Sequence, residues 1–222
     1  MGHSFQPAFL WQNSSHSLTV RRTFSQNVLG VANFDLTFAF GLFGWEGSAH
    51  DSRVFHDSKL KGLPIFPGKF YLGDGGYGLS EVILTPFKCV RYHLKEFDVN
   101  GPVNAKELFN LRHASLRNVI ERMYGNIKRR FPVLVKMSPY DFDFQCDIVQ
   151  CCFLRHNFIR LNQLYEDEFY REQEAEVNDM HLHDEPDDDD DLNMNALKAW
   201  RNGIADAMWA HYQIVLGQQD AL

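Results

Sequence analysis

The stretch that most constrains the fold is the nine-residue segment from Lys69 to Tyr77, KFYLGDGGY, in which apolar and aromatic residues lead directly into one aspartate and two glycines. The pattern predicts a buried strand that ends in a tight turn, with Asp74 at its carboxyl end. Ligands of open α/β sheets bind outside the carboxyl ends of parallel strands, and a carboxylate there suits a hard cation such as Mg²⁺. The competing interpretation is a turn aspartate that bonds its own backbone, and this segment alone leaves both open.

The charge of the chain is unevenly distributed. The formal net charge of the 222 residues is −7, but residues 1–164 hold 19 Lys and Arg against 13 Asp and Glu, whereas residues 165–222 hold 3 against 16. A basic body with an acidic tail is typical of a domain that binds a polyanion and carries a solvated appendage.

Composition and cysteine usage favour an intracellular globular protein. Hydrophobic residues make up 45% of the chain, yet no apolar run approaches the length that spans a membrane, and the N-terminus lacks the pattern of a signal peptide. Four cysteines predict no disulfide framework, which favours a reducing compartment.

The first half of the chain predicts mainly strands. Residues 1–25 are polar and lack clear periodicity, so they are expected to be irregular. Two β-rich runs, 26–33 and 36–43, flank Phe34-Asp35 and predict a hairpin. A short helix should open near His50, with Asp51 or Ser48 close to its N-cap. Further elements are expected as a short strand at 83–87 and a helix that starts at Asn104.

The most informative predicted helix runs from about Ser115 to Phe131. Its apolar residues recur at helical spacing and predict one buried face, formed by Leu116, Val119, Ile120, Met123 and Ile127. Arg117, Glu121 and Lys128 fall together on the edge of that face. An Arg117–Glu121 ion pair at i, i+4 accounts for the two charges without any function.

The second half of the chain predicts two helices around an acidic segment. One helix is expected from Pro139 to about Glu176; it places Cys152 and His156 on one face, where buried small cysteines are a better account than a metal site. Residues 184–191 include five consecutive aspartates and are expected to be disordered. An amphipathic helix should then run over 196–216, with its anchors at Trp200, Ile204, Met208, Trp209 and Ile214.

Three blocks of sequence carry a family resemblance. They are GWEGSAHDSRVF (44–55), YLGDGGY (71–77) and NLRHASLRNVIERMYGNIKRRFPVL (110–134), and CCFLRHNFI (151–159) and AWRNGIADAMW (199–209) fit the same order. Together they resemble the DDE endonuclease domain of PIF/Harbinger transposases and their domesticated relatives. The resemblance implies an endonuclease domain over 26–164, after an irregular segment at 1–25 and before an acidic linker at 165–195 and the helix at 196–216.

The resemblance also implies a site. Its fold would be α/β, an RNase H-like mixed sheet with flanking helices, in which acids hold Mg²⁺ or Mn²⁺. The second and third acids of the family fall on Asp74 and Glu121. No acid in residues 1–25 matches the first, so the first strand is expected to be missing. Asp51 is the candidate substitute, although a helix N-cap explains it more simply.

The substrate that the resemblance implies is DNA. Basic residues around Glu121 would contact the phosphate backbone, and they are Arg112, Arg117, Arg122, Lys128, Arg129 and Arg130. A Myb-like partner protein and a location in the nucleus, and also in the cytoplasm, follow from the same resemblance. Two functions stay open: a metal-dependent DNA endonuclease that is incomplete in this chain, and a non-catalytic module that binds DNA or protein.

Overall fold

A computed structural model describes the protein over residues 8–14, 26–91, 101–136, 140–162 and 192–219. The chain divides into two compact units. The first takes its described residues from Met1–Tyr71 and Val119–Glu176, and the second takes them from Leu72–Asn118 and Val177–Leu222. The predicted acidic linker falls almost wholly outside the described residues.

The first unit contains an antiparallel sheet of three strands, β1 (Ala8–Ser14), β2 (Gln26–Ala32) and β3 (Phe38–Glu46). β2 is the middle of the three, and it is buried along its whole length. The β2–β3 hairpin confirms the prediction. The prediction that residues 1–25 are irregular is wrong for residues 8–14, because pairing with β2 from Phe9↔Ala32 to Ser14↔Asn27 fixes this segment as a strand. The sheet therefore does have an N-terminal strand.

The turn of this hairpin is held by its own polar groups and by helix α3 (Phe142–Leu161). Leu36 adopts a left-handed backbone with φ 64°. His156 Nε2 lies 2.9 Å from the Leu36 carbonyl oxygen, and the Asn157 amide accepts from the Phe38 N–H at 2.8 Å and donates to the Phe38 carbonyl at 2.9 Å. The CCFLRHNFI block thus joins α3 to the hairpin.

Helix α1 (Asp51–Leu60) follows β3. Its N-cap is His50, and no side chain makes a capping hydrogen bond there. Asp51 thus lies next to the N-cap, as predicted, but it is not the N-cap itself, so that simpler explanation of Asp51 is wrong. Asp51 is the first helical residue, where its charge complements the positive end of the helix dipole.

The second unit holds two short strands and parts of two long helices. β4 (Tyr71–Leu72) spans the boundary, since the second unit starts at Leu72. It lies next to β5 (Ile83–Leu84), and the Gly73 N–H donates to the Leu84 carbonyl at 3.1 Å. β5 is shorter than the predicted strand at 83–87.

Helix α2 (Ala105–Arg130) passes from the second unit into the first. The helix start predicted at Asn104 is confirmed, since Asn104 Oδ1 accepts from the Glu107 N–H at 2.9 Å. The separate helix predicted from about Ser115 to Phe131 is the second half of this one continuous helix, so the prediction of two helices is wrong. The predicted apolar face is largely confirmed, with Ile120, Met123 and Ile127 at 0% exposure. Leu116 was expected on that face and is exposed instead.

The remaining helices differ from expectation in detail. Helix α4 (Leu192–Gln219) starts four residues before the predicted 196. The residues it buries are Ala205 and Arg201, whereas Ile214, a predicted anchor, is exposed. In α3, Cys152 is buried as predicted, but Cys151 is exposed. Among the residues that the structure describes, no helix is long and apolar enough to cross a membrane.

Candidate functional site

Asp74 lies in the turn that follows β4. Its Oδ1 accepts a hydrogen bond from the Gly76 N–H at 2.9 Å, and its carbonyl accepts from the Tyr77 N–H at 3.2 Å. Gly73 lets the chain approach β5 closely, because a Cβ at this position would lie 2.6 Å from Ile83 Cγ2. The turn-aspartate interpretation of this segment is confirmed, and one carboxylate oxygen of Asp74 is already in use.

The second oxygen of Asp74 faces a buried cation. Arg117 Nη2 lies 3.6 Å from Asp74 Oδ2, and the side chains are 1% and 19% exposed respectively. Arg117 was predicted to contact DNA, and its guanidinium is buried in the second unit, so DNA contact by Arg117 stays a prediction from the sequence. Helical spacing predicts Glu121, at i+4, as the ion-pair partner of Arg117, and it gives no indication of Asp74.

A buried histidine supports this turn from helix α2. His113 Nε2 lies 3.2 Å from the Leu84 carbonyl oxygen, and the ring also contacts the backbone of Gly73. Burial, reinforced by the charge of Arg117, lowers the pKa of His113 to about 3, so the imidazole is neutral in the folded protein. The side chain therefore fixes the strand that precedes Asp74 without adding charge.

Two further polar side chains hold the segment after β5. Asn110, at 0% exposure, accepts from the Phe87 N–H at 2.8 Å and donates to the Phe87 carbonyl at 3.0 Å. Arg201 of α4 donates to the Pro86 carbonyl at 3.0 Å and lies 4.3 Å over the Phe87 ring. These positions carry the NLRHA and AWRNG blocks, so both blocks have a structural role in the second unit.

The other predicted metal ligands lie in the first unit. Glu121 is partly buried on α2, and Asp51 is partly buried at the start of α1. Convergence of Asp74 and Glu121 on one cation stays a prediction from the sequence. Over the described ranges, no three or more His, Cys, Asp or Glu side chains are grouped so that they could hold a metal ion. At Asp74 itself, one carboxylate oxygen meets the Gly76 N–H and the other meets the Arg117 guanidinium.

The predicted DNA-binding residues differ in exposure. Arg122 and Arg129 are exposed, whereas Arg112, Lys128 and Arg130 are partly buried. Burial lowers the pKa of Lys128 below its ordinary value. Three of these cations occupy the last turn of α2, where they also complement the negative end of the helix dipole.

Comparison with known proteins identifies the family. The family model described as DDE superfamily endonuclease matches residues 10–157 of the 222. The chain belongs to this family, and the match starts within β1 and ends within α3. No curated protein and no solved structure matches the chain.

Proposed function

We propose that this chain is a Harbinger-type, transposase-derived domain that binds DNA and does not cut it by itself. The observation that carries the proposal is the state of Asp74, the family's second acid. One of its oxygens accepts from the Gly76 N–H, and the other faces the buried guanidinium of Arg117. In addition, residues 1–25 contain no Asp or Glu to serve as the first acid of the family.

An RNase H-like fold is part of the proposal. Three antiparallel strands, β1 to β3, come first in the chain, then α1 and β4, and then the long helix α2 that carries Glu121. This order of elements supports the fold that the family resemblance implies. β1 would then be the first strand of that fold, present without its acid.

DNA binding would use the exposed face of α2 in the first unit. Arg122 and Arg129 are seven residues apart, which is close to two helical turns, so they share a face. Both are exposed, and the body of the chain carries excess positive charge. Neutralising phosphates with such cations releases counter-ions, which makes affinity fall steeply with salt.

The test measures duplex DNA binding by fluorescence anisotropy at salt concentrations between 50 and 300 mM, with EDTA present. A protein that makes several phosphate contacts should lose about an order of magnitude or more in affinity over this range. Wild type should bind without metal, and the double variant R122Q/R129Q should lose about 2 units of the log–log salt slope. K61Q is the matched control, because Lys61 is an exposed cation that pairs with Asp57 outside α2. A salt slope that the double variant leaves unchanged, or binding that vanishes in EDTA, would contradict the proposal.

A metal-dependent endonuclease is the second candidate, and the retention of Asp74 and Glu121 at the family's acid positions favours it. Such an enzyme would need a further carboxylate from another chain or segment. The Myb-like partner protein and the nuclear location that the resemblance implies belong to the first proposal, the domain that binds DNA without cutting it. Nicking of duplex DNA that requires Mg²⁺ or Mn²⁺ and disappears in both D74N and E121Q would decide for this candidate.

A further inference from the structure

Among the described residues of the second unit, Arg117 is the most deeply buried side chain that stays charged. It is 1% exposed, and it ranks first by size among the fully buried side chains of the described residues. A guanidinium stays protonated in proteins, so it cannot lower the cost of burial by losing its proton. Burying such a charge is costly unless a carboxylate or hydrogen bonds compensate it. Asp74, at 3.6 Å, supplies a carboxylate within the same unit.

We propose that Arg117 is the resident cation of Asp74. Its guanidinium holds the carboxylate in the turn without a metal ion, and it makes Asp74 a weak ligand for divalent cations. The second part deepens the proposed function, because it explains why this family acid would not support metal chemistry in the isolated chain. The first part concerns only the fold of the second unit.

The physical basis is competition for one carboxylate. Mg²⁺ takes oxygen ligands at about 2.0–2.1 Å and gives up its water reluctantly, so it needs concentrated negative charge. Here the negative charge of Asp74 is balanced by Arg117, and one oxygen is bonded to the Gly76 N–H. A divalent ion at Asp74 would also lie close to a positive charge that burial screens poorly from it. Removing the guanidinium charge should therefore raise the affinity of Asp74 for the ion.

The first test is a double-mutant cycle in EDTA that uses the full chain. D74N keeps the acceptor for the Gly76 N–H and removes the charge, while R117M keeps much of the volume of the arginine stem. Each single change should lower the thermal midpoint by several degrees, because it removes one partner of the Asp74–Arg117 pair. The double variant D74N/R117M should be no less stable than either single variant. Additive losses would overturn the inference.

The control for the cycle is R112M. Arg112 lies on the same helix in the same unit but is only partly buried, so its loss should add to that of D74N without coupling. If R117M alone does not fold, the inference requires D74N to rescue it. A double variant that also fails to fold would overturn the inference.

The second test measures Mn²⁺ binding by water-proton relaxation. Wild type should bind weakly, R117M should bind at least about tenfold more tightly, and R117K should stay near wild type because it keeps the positive charge. The tighter Mn²⁺ binding of R117M should be lost in D74N/R117M. If the double variant still binds Mn²⁺ more tightly than wild type, the ion lies elsewhere and the claim that Arg117 weakens Asp74 as a ligand is overturned. Millimolar Mn²⁺ should leave the thermal midpoint of wild type unchanged. If Mn²⁺ raises the midpoint of wild type but not that of D74N, the claim that Asp74 is a weak ligand is also overturned.

The two tests separate this inference from the proposed function. If the chain fails to bind DNA but the cycle shows coupling, the proposed function falls and the resident-cation role of Arg117 stands. If DNA binding holds and the cycle is additive, only the inference falls.

Discussion

Replacing Asn110 with alanine should destabilise the second unit more than the same replacement of any other amide side chain on α2. The side chain is fully buried, and its carboxamide acts as a strand-like partner for Phe87, with contacts of 2.8 and 3.0 Å to the N–H and the carbonyl. Its amide nitrogen also lies 3.3 Å from the carbonyls of both Val90 and Arg91. Asn110→Ala would leave these backbone groups without their present partner.

The magnitude follows from the two short contacts. A buried donor or acceptor left unsatisfied costs about 1–3 kcal/mol, and the two groups of Phe87 are both buried with their residue. Taking about 1 kcal/mol for each of the two groups and about 1 kcal/mol for the small cavity, the free energy of unfolding should fall by about 3 kcal/mol. With a denaturant slope of roughly 2 kcal/mol/M in urea, this corresponds to a midpoint about 1.5 M lower.

The assay is urea unfolding followed by far-ultraviolet circular dichroism. Asn162→Ala is the matched control, because Asn162 is exposed and its amide only donates to the Phe158 carbonyl of its own helix at 2.7 Å. The control should shift the midpoint by less than about 0.3 M, as surface substitutions usually do. A loss for Asn110→Ala no larger than that of the control would refute the argument that the amide holds the segment after β5.

Two further predictions concern pH and packing. Burial holds the pKa of His113 at about 3 and that of His156 at about 4, whereas unfolded imidazoles titrate near 6.5. Stability should therefore be full above about pH 6.5 and fall as the pH drops toward these folded pKa values, by about 1–2 kcal/mol per histidine at pH 5. His156→Gln should remove part of this loss when urea unfolding is measured as a function of pH, and a pH dependence that the variant leaves unchanged would contradict the argument. Gly30→Ala should lower the thermal midpoint, because its Cβ would lie 1.9 Å from the Tyr124 hydroxyl oxygen. Overpacking of this kind costs about 1–3 kcal/mol, and Tyr124→Phe in the same chain should recover part of it, so a double variant no more stable than Gly30→Ala would contradict the packing argument.

Local patterns were sufficient to predict most elements. Two β-rich runs around the Phe34-Asp35 turn predicted the β2–β3 hairpin. The Asn104 cap predicted the start of α2, and an apolar period predicted its second half as a separate helix. β1 was not predicted, because its few apolar residues sit in a polar stretch and its conformation depends on pairing with β2. Strand propensity is set by such neighbours more than by the segment itself.

The position of Asp74 in a turn after a strand was predicted, but its contact with Arg117 was not. The sequence placed Asp74 at the end of a strand, and it does lie in the turn after β4. Helical spacing paired Arg117 with Glu121, yet the guanidinium also meets Asp74, more than forty positions away in the chain. No local pattern reports a contact of that separation.

The buried polar side chains were missed for the same reason. Asn110, His156 and Asn157 all bond to backbone groups of distant strands or loops. In the sequence they interrupt apolar faces, which resembles ordinary helix surface. Their position in the blocks NLRHA and CCFLRHN, which carry the family resemblance, was the one signal that pointed to them.

The most direct test of the account is a nicking assay on supercoiled plasmid DNA with the purified full chain, in Mg²⁺ or Mn²⁺. Asp74 Oδ2 lies 3.6 Å from Arg117 Nη2, and residues 1–25 hold no Asp or Glu to match the first acid of the family. We therefore predict that wild type and D74N alike bind DNA while the plasmid stays supercoiled. Metal-dependent nicking by wild type that disappears in D74N would contradict it.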